Sequence, residues 1–131
     1  MARRLATLLG GDYVDTGATY RAMAWWMVRC GVDVNDPELM AARVDEPIIE
    51  LGVDPGTPAV WVDAQAVSLQ VREPDVAAVV SRVAAVPQVR ARLVALQQAY
   101  ASAAKSAGRA VVMEGRDIAA VVLPRAHVKV W

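Results

Sequence analysis

Residues 12–21 read DYVDTGATYR, and the fold turns on how they are parsed. Asp12–Asp15 is a short strand candidate. Thr16 can cap the helix that follows, because its hydroxyl can accept a bond from an early amide. That helix is expected over about residues 17–30. Gly17 removes a side chain where the helix begins, so an anion can approach the free amides of the first turn. Arg21 lies one turn further on, and helical side chains lean back toward the amino end. Its guanidinium can therefore meet the same anion. The plainer alternative is a capped helix with Arg21 in water.

The same logic returns near the other end, where a strand expected at residues 109–114 runs into Glu114-Gly115-Arg116-Asp117. Gly115 permits close backbone approach, Arg116 offers a planar fork for phosphate, and Asp117 is an acceptor. A simple turn is the competing reading. Two arginine-bearing clusters, each following an apolar run, suit an anion held at the carboxyl edge of a parallel sheet.

Between them, Ser81 and Arg90 stand on either side of Val86-Pro87. Arginine supplies only donors and aspartate only acceptors. Cytosine's pairing edge has two acceptors and an amino group, so Arg90 with Asp117 is a sensible cytosine reader. Uracil would set a carbonyl against the carboxylate and be disfavoured. Ser81 is equally consistent with an ordinary hydroxyl on a helix surface.

Ala2–Leu9 is expected as a helix stopped by Gly10-Gly11. The helix after Asp15 is apolar on several faces, with Ala22, Met23, Trp25, Trp26 and Met27, and so should be well buried. Trp25-Trp26 is expected in the core, and Cys30 as a small buried hydrophobe. A short helix starts near Pro37. Residues 48–69 carry β-branched runs broken by Gly, Pro and Asp, predicting two or three short antiparallel strands. One helix is expected over residues 75–84 and a longer one over about 88–105, with Val89, Leu93, Leu96, Tyr100 and Ala103 as its apolar stripe. A last strand is expected at residues 127–131. This order, with helices on both sides of the β-rich insert, favours parallel core strands.

The 131 residues are 56% hydrophobic, which argues for a packed core over disorder. Fourteen basic and fourteen acidic residues cancel, so no global field draws nucleic acid or an anionic membrane. Any phosphate must be held by local arginines. The single Cys30 excludes an internal disulfide and fits a reducing cytoplasm. The apolar stretches are too short to cross a bilayer. His127 lacks a second His or Cys nearby, so no metal site is expected.

YVDTGATYRAMAWWMVRCGVDVND resembles the segment after the phosphate loop in bacterial cytidylate kinases, a D-[ST]-G-A-x-Y-R run. VVMEGRDIAAVVLPRAHVKVW resembles that family's E-G-R-D-I-G-T-V-V-x-P-x-A segment. SRVAAVPQVRARLVALQQAYA resembles the helical stretch between them, V-x-P-V-R included. The three come in family order and span most of the chain.

The resemblance implies an α/β nucleoside-monophosphate-kinase-like parallel core, residues 1–42 and 73–131. A β-rich insertion at residues 43–72 would cover the nucleotide. It implies that Thr16, Arg21 and Arg116 hold the CMP phosphate, that Ser81, Arg90 and Asp117 read cytosine, and that Asp15 positions the acceptor phosphate or a magnesium water. The reaction implied is γ-phosphoryl transfer from ATP, with Mg²⁺, to CMP or dCMP. A cytoplasmic enzyme, monomeric when complete, is expected. The 131 residues contain no G-x-x-x-x-G-K-[ST] phosphate loop and stop before the lid arginines. Ala119-Ala120 stand where the family has Gly-Thr. The expectation is therefore a fragment that supplies the CMP-binding portion of a full kinase. A non-catalytic CMP-binding module and an inactive remnant are the alternatives.

Overall fold

The structure, a computed structural model, describes residues 2–115. The expected strand at residues 127–131, with His127, lies outside them, as do Arg116 and Asp117.

Helix α1 (Ala2–Leu9) closes where the Gly11 amide donates to the Ala6 carbonyl at 2.9 Å. Strand β1 (Asp12–Asp15) follows, and helix α2 (Thr16–Arg29) begins with no intervening loop. Strand β5 (Val111–Glu114) pairs with β1 in parallel, in the register Asp12↔Val111 through Asp15↔Glu114. Parallel neighbours require a long crossover, and here it contains α2 and every element after it up to β5. The consequence for function is positional. The carboxyl ends of both strands, Asp15 and Glu114, finish side by side. The expected start of β5 is trimmed, because the Arg109 amide donates to the Ala104 carbonyl at 2.8 Å instead of entering the ladder; its guanidinium meets Asp12 at 2.9 and 3.1 Å.

α2 is buried on most faces, as its all-round apolar sequence demands; Ala22, Met23 and Met27 are sealed completely. Trp25 and Trp26 are core residues, each covered by a cation: Arg29 lies 5.4 Å from the Trp25 ring, and Arg43, in helix α3 (Pro37–Arg43), lies 5.1 Å from that of Trp26. Cys30 corrects its expectation and is exposed. It is the C-cap of α2, where the helix has run past the packed layer, and position outweighs residue type.

The insert is an antiparallel sheet in the order β2 (Ile49–Gly52), β3 (Ala59–Val62), β4 (Gln65–Ala66). Ile49 and Leu51 face inward while Glu50 faces water, and Val60 and Val62 repeat the pattern. These side chains join α2 and the first half of the last helix in one apolar cluster. That last helix, α6 (Pro87–Ser106), is a strut. Its Arg92 donates to the carbonyls of Val44 and Pro47, and its Tyr100 hydroxyl accepts the Leu51 amide at 2.8 Å. Because α6 also packs on β1 and β5, the insert is fastened to the core through it.

Two helical expectations need correction. Residues 75–84 form two short helices, α4 (Pro74–Ala77) and α5 (Val80–Ala84). The break falls beside Val79-Val80, a β-branched pair that is poorly suited to a helix interior. On α6 the buried stripe is Val89, Leu93, Gln97, Ala101 and Ala104, while Ala103 is exposed and Leu96 and Tyr100 lie at the margin. The stripe is rotated because Gln97 is drawn inward, its amide donating to the Thr19 hydroxyl at 3.0 Å. A buried amide satisfied by one partner is invisible to a count of apolar residues. Among the described residues no helix is long and apolar enough to cross a membrane.

Candidate functional site

The site grows from the junction of β1 and α2. Asp15, not Thr16, is the N-cap: its backbone is extended and its Oδ1 accepts the Ala18 amide at 3.3 Å. Carboxylate is as good a cap as hydroxyl, and here Asp15 occupies the last strand position with its side chain turned to the helix. Thr16 is instead the first helical residue, buried, and its hydroxyl donates to the Glu114 carbonyl at 2.8 Å. The hydroxyl thus ties the start of α2 to the end of β5.

Arg21 folds back along the helix, as expected, and its Nη2 meets Asp15 Oδ2 at 3.0 Å with both side chains about a quarter exposed. Gly17 makes that path possible, since a Cβ there would stand 2.9 Å from Arg21 Nη1 and 3.2 Å from Asp15 Oδ1. The Nε of Arg21 is buried and has no hydrogen-bond partner among the described residues. An unpaired buried donor is costly, and an anion entering beside Asp15 would satisfy it.

Next to this pair Tyr13, almost fully buried, donates from its hydroxyl to Glu114 Oε2 at 3.4 Å. Burial first, then the nearby charges of Asp15 and Glu114 and the bond to Glu114, push the phenol up to about 12, with Arg3 pulling the other way. The folded protein therefore holds this proton more tightly than the unfolded chain does. The stability linked to it is intact below pH 10 and is lost as pH rises from 10 toward 12. Urea melts across that window should show the loss in the wild type and a smaller one in Tyr13→Phe. Equal alkaline losses would remove Tyr13 as the cause.

These groups open onto a cleft of about 140 Å³ between the core and the insert. Arg3, Tyr13, Asp15 and Arg21 line it on the core side; Ser68 and Arg72 line it on the side of the insert, with apolar Leu51 and Val60. Arg3 Nε donates to the Pro55 carbonyl at 3.1 Å, which bridges α1 to the insert.

The structure brings Asp15, Thr16 and Arg21 together and leaves Ser81 and Arg90 outside the cleft lining. Ser81 is exposed on α5, and Arg90 is half-buried in the first turn of α6, two helices that pack on one another. No group of three or more His, Cys, Asp or Glu among the described residues could hold a metal ion. Both Asp15 oxygens are engaged, Oδ1 by the Ala18 amide and Oδ2 by Arg21. Sequence reasoning missed Tyr13, Arg3 and Arg72. Tyr13 could have been found, since it shares a strand face with Asp15 at period two. Arg3 and Arg72 are remote in sequence and carried no signal.

The family model described as cytidylate kinase matches residues 1–131. Among relatives, a cytidylate kinase of Streptomyces avermitilis is 43% identical over 130 residues, covering 99% of this chain and 55% of that protein. One from Nocardia farcinica is 44% identical over 131 residues, covering 100% of this chain and 55% of its own. A bifunctional pantoate ligase/cytidylate kinase of Acaryochloris marina is 43% identical over 134 residues, covering all of this chain and 25% of its own length. The chain spans about half the length of the cytidylate kinases it matches.

Proposed function

This chain belongs to the cytidylate kinase family, and from that membership we propose that it is the acceptor-nucleotide portion of an enzyme that transfers the γ-phosphoryl of ATP to CMP or dCMP. The observation that carries the reading is the Asp15–Arg21 pair. It sits at the carboxyl edge of two parallel strands, opens into a cleft shared with the insert, and retains a guanidinium donor left unsatisfied by the described residues. Phosphoryl transfer rests on positioning and charge neutralisation, and this edge supplies both for the acceptor phosphate. Arg21, with Arg116 and the Thr16 segment, holds that phosphate. Ser81, Arg90 and Asp117 read cytosine, and Asp15 orients Arg21. The insert, residues 43–72, covers the bound nucleotide, and residues 1–42 and 73–131 form the core. ATP arrives with Mg²⁺ coordinated by its own phosphates. The enzyme acts in the cytoplasm as a monomer.

Titration calorimetry of the chain with CMP and UMP tests this. CMP should bind at least about tenfold tighter, a difference of roughly 1.4 kcal/mol, because uracil offers a carbonyl where the carboxylate of Asp117 needs a donor. Asp117→Asn should narrow the gap. Equal affinity for the two, or no binding of either, would overturn the reading.

A further inference from the structure

We propose that Arg72, from the insert, is a further grip on the 5′-phosphate of the acceptor nucleotide, lining the same cleft as Arg21. The inference rests on the function proposed above and adds to it a residue that neither the sequence motifs nor the family resemblance singled out.

Among the described residues three guanidiniums line the cleft, from Arg3, Arg21 and Arg72, against one carboxylate, that of Asp15. The positive surplus among these lining residues suits a phosphate monoester, which carries close to two negative charges at neutral pH. Glu114 stands just beyond, behind the Tyr13 hydroxyl. The three cations are not equally available. Arg3 donates its Nε to the Pro55 carbonyl, and Arg21 is paired with Asp15 through Nη2. The Arg72 side chain is exposed, and no hydrogen bond or ion pair holds it among the described residues. Its backbone, by contrast, is well anchored. It closes a 3₁₀ turn, Gln70–Arg72, whose Val71 is buried and donates its amide to the Val67 carbonyl at 3.0 Å. That turn packs directly on α2, the helix that carries Arg21. A fixed base with a free fork, lining the cleft that Arg21 also lines, is a ligand-gripping arrangement. A solvated surface arginine would need neither the anchored turn nor the cleft.

The test compares CMP with cytidine, which lacks only the phosphate, in calorimetric titrations of the full chain and of Arg72→Gln and Arg72→Lys. Arg72→Gln should weaken CMP about tenfold and leave cytidine unchanged, whereas Arg72→Lys should recover part of the loss. Because the side chain is exposed, neither variant should shift the melting temperature. Unchanged CMP affinity in Arg72→Gln would overturn this inference alone and leave the proposed function standing. An equal loss for cytidine would also overturn it, since Arg72 would then act on the nucleoside. A wild-type chain indifferent to CMP would sink the inference and the function together.

Discussion

Arg21→Gln is expected to weaken CMP binding about a hundredfold while changing the melting temperature by only a few degrees. The binding loss follows from what the guanidinium does at the junction of β1 and α2. Hydrogen bonds to charged groups contribute about 1.5–3 kcal/mol each, and roughly 2.7 kcal/mol is a factor of one hundred in affinity. Glutamine also leaves the Asp15 carboxylate facing the incoming phosphate with no cation between them, which adds repulsion to the lost contact. The stability cost is small for a separate reason. The Asp15–Arg21 pair is about a quarter exposed, and such pairs contribute at most about 1 kcal/mol. Asp15 keeps its other role, accepting the Ala18 amide as helix cap. Arg21→Lys should recover only part of the affinity, since an ammonium is a point charge without a planar fork. Calorimetry beside a thermal melt separates the two quantities. An Arg21→Gln chain that binds CMP like the wild type would remove this residue from the site.

Much of this arrangement is legible in the sequence, because it is local. A strand four residues long, a cap, a glycine and an arginine one turn later are all specified within ten positions. The backward lean of helical side chains then predicts the meeting of Arg21 with the edge of the sheet. The parallel pairing of β1 and β5 is legible from chain order, because the elements between them leave room for a crossover. What the sequence hid depends on contacts between distant segments. Asp15 takes the cap from Thr16 because Glu114, ninety-eight positions away, offers its carbonyl to the Thr16 hydroxyl. Gln97 displaces Leu96 from the core face because Thr19, on another helix, gives it a partner. Arg72 enters the cleft because a 3₁₀ turn docks on α2. In each case a residue's local pattern allowed two placements, and a hydrogen bond or packing contact made elsewhere chose between them.

The largest effect on folding is expected from a residue with no side chain at all. Gly11→Ala should destabilise the chain by about 3 kcal/mol, the upper end of the usual cost of overpacking. For a chain of this size that is a fall in melting temperature of about 10 °C. Gly11 joins α1 to β1 and lies against the start of β5. A Cβ placed there would stand 2.6 Å from the Ala110 carbonyl oxygen and 3.0 Å from its carbon. These are backbone atoms, so no flexible side chain can swing aside. The same carbonyl accepts the Asp12 amide at 2.8 Å, one step before the register Asp12↔Val111 begins. Moving it away breaks the bond that starts the parallel pair. Moving α1 instead pulls on the bond from the Gly11 amide to the Ala6 carbonyl at 2.9 Å. Either route loosens the edge on which Asp15 and Glu114 are aligned. Hydrogen exchange should therefore report the damage first at the Asp12 amide, with the interior of α2 affected only through global unfolding. A Gly11→Ala chain that melts within about 2 °C of the wild type would show that β5 can yield at Ala110, and that the close approach seen there is not needed to hold the sheet.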